Sequence, residues 1–167
     1  MVPQNQQWEE AIKRIYGGKV AKRMRYATKK EKDAFDAPKL REIVSTLSPP
    51  YSIRAIDQAL YSQIMASDWA VDLCSNYQSW ESYEKNGVGF VVLKGEEIVS
   101  CASSFTCYRE GIEIEVDTRE DERRQGLAMA CCASLILACL DRKLYPSWDA
   151  HNHGSLALAE KLGSHFD

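Results

Sequence analysis

The chain has 167 residues, 45% of them hydrophobic and 27% charged, with a formal net charge of -3. That length carries one sizeable core, and a charge so near neutral excludes a non-specific grip on nucleic acid through a basic surface. The longest apolar run, residues 127–140, is shorter than the ~20 residues a membrane span needs and is interrupted by Ser134.

The first five residues lack the basic start and apolar stretch of a secretory signal, so a cytoplasmic location is expected. Residues 8–16 space their apolar side chains at helical intervals, and Gly17-Gly18 ends that helix. Met24, Tyr26 and Thr28 alternate with Arg23, Arg25 and Lys29 as a strand would, inside a locally basic patch read as a solvated face. Residues 38–47 predict a helix with Pro38 in its first turn. Pro49-Pro50 cannot continue a helix, which places a boundary between a leader, residues 1–50, and a main domain, residues 51–167.

Residues 51–56 predict a strand, and Asp57 is a fitting N-cap for a helix through Leu60, Ile64 and Trp69. A short helix at 80–85 ends at Asn86-Gly87. Three strands then form an antiparallel meander: 90–93, 98–108 and 112–116, separated by Lys94-Gly95-Glu96-Glu97 and Arg109-Glu110-Gly111. Residues 127–140 read as a helix buried all round, 145–149 as a further strand and 152–162 as a last helix. The fold class is mixed α/β, a mostly antiparallel sheet flanked by helices. Six cysteines show no Cys-x-x-Cys pair, and three lie within the buried helix. They read as reduced core residues, and no metal site is expected although His151 and His153 flank Asn152.

The polar segment Asp117–Ala128 lies between the strand Ile112-Glu113-Ile114-Glu115-Val116 and the buried helix. Arg123-Arg124-Gln125-Gly126-Leu127-Ala128 falls where that helix begins, so its backbone N–H groups lack intrahelical acceptors and form an anion site. Gly126 permits close approach to the backbone, Ala128 keeps the next turn slim, and the arginines suit phosphate oxygens. A P-loop is excluded, because no Gly-x-x-x-x-Gly-Lys-Ser/Thr occurs.

Arg123-x-x-Gly126-x-Ala128 after a strand resembles the pyrophosphate loop of the GNAT acetyltransferases. Asn152-x-x-Ser155-x-x-Leu158-x-x-Lys161-x-Gly163 resembles that superfamily's second cofactor motif. Residues 146–152 and 158–163 are similar to the branch that includes zwittermicin A resistance acetyltransferases. The resemblance implies an N-acetyltransferase taking acetyl-CoA and a small-molecule amine. It gives the pyrophosphate to the N–H groups of residues 124–128 and the pantetheine arm to the backbone of Glu115, Val116 and Asp117, with Asn152 and Ser155 on the other side. It also implies two departures. The sheet would lack its last strands, leaving residues 145–149 with an open edge that invites a homo-dimer. The tyrosine of the last helix is replaced by Ala159, which leaves Tyr145, His151, His153 or water as proton donor. Glu113 and Glu115 lie two apart on one strand face; they are either the general base and its partner or solvated charges. The alternative to an enzyme is a non-catalytic acyl-CoA-binding or interaction module.

Overall fold

The computed structural model describes residues 5–20, 25–31 and 33–166. The leader holds α1 (Gln6–Tyr16), a short strand β1 (Tyr26–Ala27) and α2 (Ala37–Ser45); the expected strand position at Met24 lies outside the described residues. Then come β2 (Tyr51–Ala55), α3 (Gln58–Met65) and α4 (Trp80–Asn86). β3 (Gly89–Lys94), β4 (Glu97–Tyr108) and β5 (Gly111–Thr118) form the meander. α5 (Leu127–Asp141), β6 (Tyr145–Ser147), β7 (Asp149–Ala150) and α6 (His153–Leu162) complete the described chain.

Five strands form one sheet in the order β2-β3-β4-β5-β6. The first four pair antiparallel, and β6 alone joins parallel to β5. The two faces of the sheet split the core into two layers, with a bulge at Val99, where the β3–β4 register shifts between Val92 and Leu93, putting Val99 and Cys101 on opposite faces. On one face Val92, Val99, Ala102, Ile112 and Ile114 meet the buried side chains of α5, α2 and α6. On the other, Val91, Leu93 and Cys101 meet α3, α4 and Tyr77. α5 is the middle of the first layer: Cys131, Cys132, Ala133, Leu135, Ile136 and Cys139 are all fully buried, which explains a sequence apolar all round. Burial pushes the Cys131 and Cys139 thiols up to about 12, so these cysteines are thiols in a core. Leu40 of α2, 1% exposed, packs in the same layer, so this part of the leader shares the core of the residues that follow it.

Two details differ from the strands read in the sequence. β4 is not regular: the register shifts between Ser104 and Thr106, so Phe105 bulges out, 39% exposed. The strand expected over residues 145–149 is two strands broken at Trp148. β6 pairs with β5, whereas β7 leaves the sheet and pairs antiparallel with β1, Tyr26 opposite Ala150 and Ala27 opposite Asp149. The open edge expected there is therefore corrected at Asp149–Ala150: the leader supplies its partner. Thr28 extends the contact, its N–H and Oγ1 donating to the Trp148 carbonyl at 3.3 and 2.9 Å, and it bridges Phe166.

Candidate active site

The site follows from that break. β5 pairs with β6 only through Gly111, Ile112 and Glu113, matched to Tyr145, Pro146 and Ser147. Beyond Glu113 the two strands part, and a cleft of about 800 Å³ opens. Its walls are Glu115, Val116, Asp117 and Thr118 on β5, the loop and first turn of α5 (Arg123, Arg124, Gly126, Leu127, Ala128, Met129), and His151, Asn152, Ser155, Leu158 and Lys161 at the start and along one side of α6. The cofactor residues expected from sequence thus converge on one cavity, with Gln125 the exception.

The floor of the loop presents backbone N–H groups without helical partners. Among the described α-helices, α1, α2, α3, α4 and α6 begin on a capping side chain, namely Asn5, Asp36, Asp57, Ser79 and Asn152. α5 has none, so its first-turn N–H groups open into the cleft with the positive end of the helix dipole behind them. Gly126 holds this geometry in the left-handed region, φ 79°, and no protein atom lies within 4 Å of where a Cβ would stand. Arg124 is also left-handed, φ 68°, which turns the loop tightly before the helix.

The two arginines do different things. Arg123 folds back on the strand end: its Nε donates to the Thr118 carbonyl at 3.1 Å and its Nη2 lies 3.6 Å from Asp117 Oδ1. Arg124 is exposed on the cleft wall and makes no hydrogen bond or ion pair among the described residues. Of the two arginines it is the one whose guanidinium is uncommitted.

Glu122 was not singled out in the sequence, where it reads as one more acid in a solvated turn. It is 3% exposed and staples the loop to the sheet. Its carboxylate accepts from Lys94 Nζ and Tyr51 Oη, each at 2.7 Å, and from Gln125 Nε2 at 3.1 Å. The Lys94 and Tyr51 hydrogen bonds hold it below the usual glutamate range. Gln125, whose Oε1 also lies 2.8 Å from Tyr51 Oη, is therefore turned away from the cleft and serves the loop's shape. No local sequence signal marks this cluster, because Tyr51 and Lys94 are distant in the chain.

On the opposite wall Asn152 caps α6, its Oδ1 accepting from the Ser155 N–H at 2.8 Å, while Ser155 Oγ accepts from Trp148 Nε1 at 3.0 Å. Leu158 and Lys161 follow at steps of three along α6, and that spacing was the legible signal for their shared side.

Glu113 and Glu115 project from β5 away from the buried Ile112 and Ile114, and both are half-buried. Glu115 lines the cleft and Glu113 does not. Burial raises both carboxyls above the usual glutamate range, opposed by Lys30 and a hydrogen bond from Ser147 at Glu113, and by His151 and Arg25 at Glu115. Neither is a fully solvated charge. No group of three or more histidines, cysteines or acidic residues arranged to hold a metal occurs among the described residues.

The cleft thus opens where β5 parts from its parallel neighbour beside the uncapped start of α5, and comparison with known proteins assigns the class. The GNAT acetyltransferase family model matches residues 1–167, and the chain belongs to that family. A GCN5-related N-acetyltransferase-like protein from Streptococcus suis 89/1591 is 51% identical, with a TM-score of 0.95 over 99% of this chain and 66% of that one. YdfB of Bacillus subtilis (strain 168), named an uncharacterized N-acetyltransferase, is 35% identical over 89 residues, which is 52% of this chain and 34% of that protein. The chain thus spans about a third of the Bacillus protein and just under two thirds of the Streptococcus one. An acetyltransferase from Clostridium acetobutylicum solved with acetyl-CoA shares the fold at 13% identity and a TM-score of 0.53, over 68% of this chain and 88% of that one.

Proposed function

We propose that the protein transfers an acetyl group from acetyl-CoA to the amine of a small molecule. The observation that carries this reading is the cleft, where an uncapped helix start and a strand edge without a β6 partner line one cavity. A pyrophosphate fits the first-turn N–H groups of α5 and the Arg124 guanidinium. The strand edge of Glu115, Val116 and Asp117 pairs with the amides of the pantetheine arm as a β-strand would, with Asn152 opposite. The acetyl-CoA bound to the Clostridium protein of the same fold supports this choice of donor.

On the acceptor side, two half-buried carboxylates attract a cationic amine, and a carboxyl raised by burial is a better base for it than a solvated one. Glu115 lines the cleft and takes the proton; Glu113, two residues back, holds the amine or shares that work. The Pro146-Ser147-Trp148-Asp149-Ala150 run, similar to the branch that includes zwittermicin A resistance acetyltransferases, supports a small soluble acceptor. The competing reading is an acyl-CoA-binding module without turnover. Ala159 favours it, being fully buried where the family resemblance carries a tyrosine. Thioester cleavage of acetyl-CoA, followed with a thiol reagent across a panel of amines, separates the two: amine-dependent CoA release is expected, and tight CoA binding with no release supports the module instead.

A further inference from the structure

Acetyl transfer leaves a thiolate that needs a proton, and no tyrosine lines the cleft. Neither neighbour of Ala159 on α6 can take that role, because Leu158 has no proton to give and Glu160 does not line the cleft. Among the described residues, the ionisable side chains that line the cleft are Glu115, Asp117, Glu122, Arg123, Arg124, His151 and Lys161. Guanidinium groups do not release protons at working pH. Glu122 is an acceptor for three donors, and Asp117 accepts the Thr118 N–H while pairing with Arg123. Lys161 lies nine residues beyond Asn152 on α6, roughly 13 Å along the helix from the end that carries the reacting groups. Glu115 and His151 remain, one on β5 and the other on the turn that enters α6.

We propose that His151 is the general acid that protonates the departing thiolate, across the cleft from Glu115. This rests on the acetyl-transfer reading above. The side chain is exposed on the cleft wall, immediately before the Asn152 cap, and no hydrogen bond among the described residues commits either ring nitrogen elsewhere. Imidazole is the side chain that both gives and regains a proton near neutral pH. Besides His151, the charged groups that act on Glu115 are Arg25 from the leader, Asp72 and Asp117. In the step, the bound amine first releases its ammonium proton to bulk water and reacts in its neutral form, and Glu115 takes one proton from the nitrogen as it bonds to the thioester carbonyl carbon. The carbon–sulfur bond then breaks, and the sulfur takes the imidazolium proton to leave as CoA thiol. The proton on Glu115 passes back to the imidazole through water, so both groups are restored and no further reactant is consumed.

The test is acetyl transfer and CoA binding by the protein carrying His151→Ala or His151→Gln. CoA affinity is expected within about twofold of the unsubstituted protein, and the rate of acetyl transfer about 10²-fold lower, the lower end for loss of a positioned acid. Added imidazole should restore His151→Ala, which leaves room for it, and not His151→Gln, which fills the space. A rate within about threefold of the unsubstituted protein in both variants overturns the assignment. So does a loss in His151→Ala that imidazole does not restore. If the unsubstituted protein binds CoA yet cleaves no thioester, the acetyl-transfer reading fails first and takes this one with it.

Discussion

Replacing Gly126 separates the conformational demand of the loop from the demand of a ligand. At φ 79° any side chain in this backbone costs about 1–2 kcal/mol, because its Cβ crowds the following carbonyl. Nothing else opposes the change, since no protein atom lies within 4 Å of the added Cβ. For a chain of this size that cost lowers the Tm by about 2–8 °C. Gly95 is the matched control: it has φ 63°, equally open space, and a place in the β3–β4 turn, outside the cleft lining. Gly95→Ala and Gly126→Ala should therefore lose similar stability. Only the second places a methyl where the pyrophosphate would lie, and Gly126→Trp fills that space. The expected result is a CoA affinity unchanged in Gly95→Ala and weakened at least tenfold, about 1.4 kcal/mol, in Gly126→Trp, measured by calorimetry with melting curves alongside. A folded Gly126→Trp protein that binds CoA as the unsubstituted one does would refute the loop assignment.

Three further outcomes follow from the same geometry. Glu115→Gln should cut amine acetylation about 10²-fold with CoA affinity nearly intact, and Glu113→Gln should act more weakly; equal wild-type rates across the whole pH profile would remove both carboxylates from the reaction. Both carboxyls are raised in the folded protein, so the native state holds protons that the unfolded chain has already lost. Stability therefore falls as pH climbs from the ordinary value of 4.5 through the raised values, and either glutamine variant should be more stable than the parent at neutral pH, as urea titration would show. Glu122 has the opposite sign. Lowered by Lys94 and Tyr51, it contributes stability above 4.5 that is lost as pH falls through its folded value, so Glu122→Gln should be less stable at neutral pH and have a flatter acid limb.

The parts legible in the sequence are those whose physics is local. The β3–β5 alternation, the all-apolar α5, the Gly126 turn and the Asn152 cap each announce themselves within a few residues. What stayed hidden depends on partners far along the chain. Glu122 reads as a surface acid until Tyr51 and Lys94 are brought to it, and Arg123 reads as an unpaired charge until the Thr118 carbonyl takes its Nε. The break at Trp148 gave no signal either, because residues 145–150 are strand-like throughout; only the arrival of Tyr26–Ala27 from the leader decides that the second half pairs elsewhere. Phe105 likewise fits a regular strand, and the register of β5 is what expels it.

The β1–β7 ladder also sets an order of assembly. Tyr26 must wait for Ala150, whereas the β3–β4 and β4–β5 hairpins close within a few residues and α5 can pack on them at once. Closing so long a loop costs entropy before the contact rewards it, so the rungs at Tyr26–Ala27 are expected to form after the rate-limiting step. Weakening them, for instance by removing the Thr28 hydroxyl that binds the Trp148 carbonyl, should leave the refolding rate alone and hasten unfolding. The Tyr26–Thr28 segment, unlike α2 with its core Leu40, then acts as a latch on the finished molecule, and it is expected to govern how long the wall of the cleft beside Trp148 stays in place.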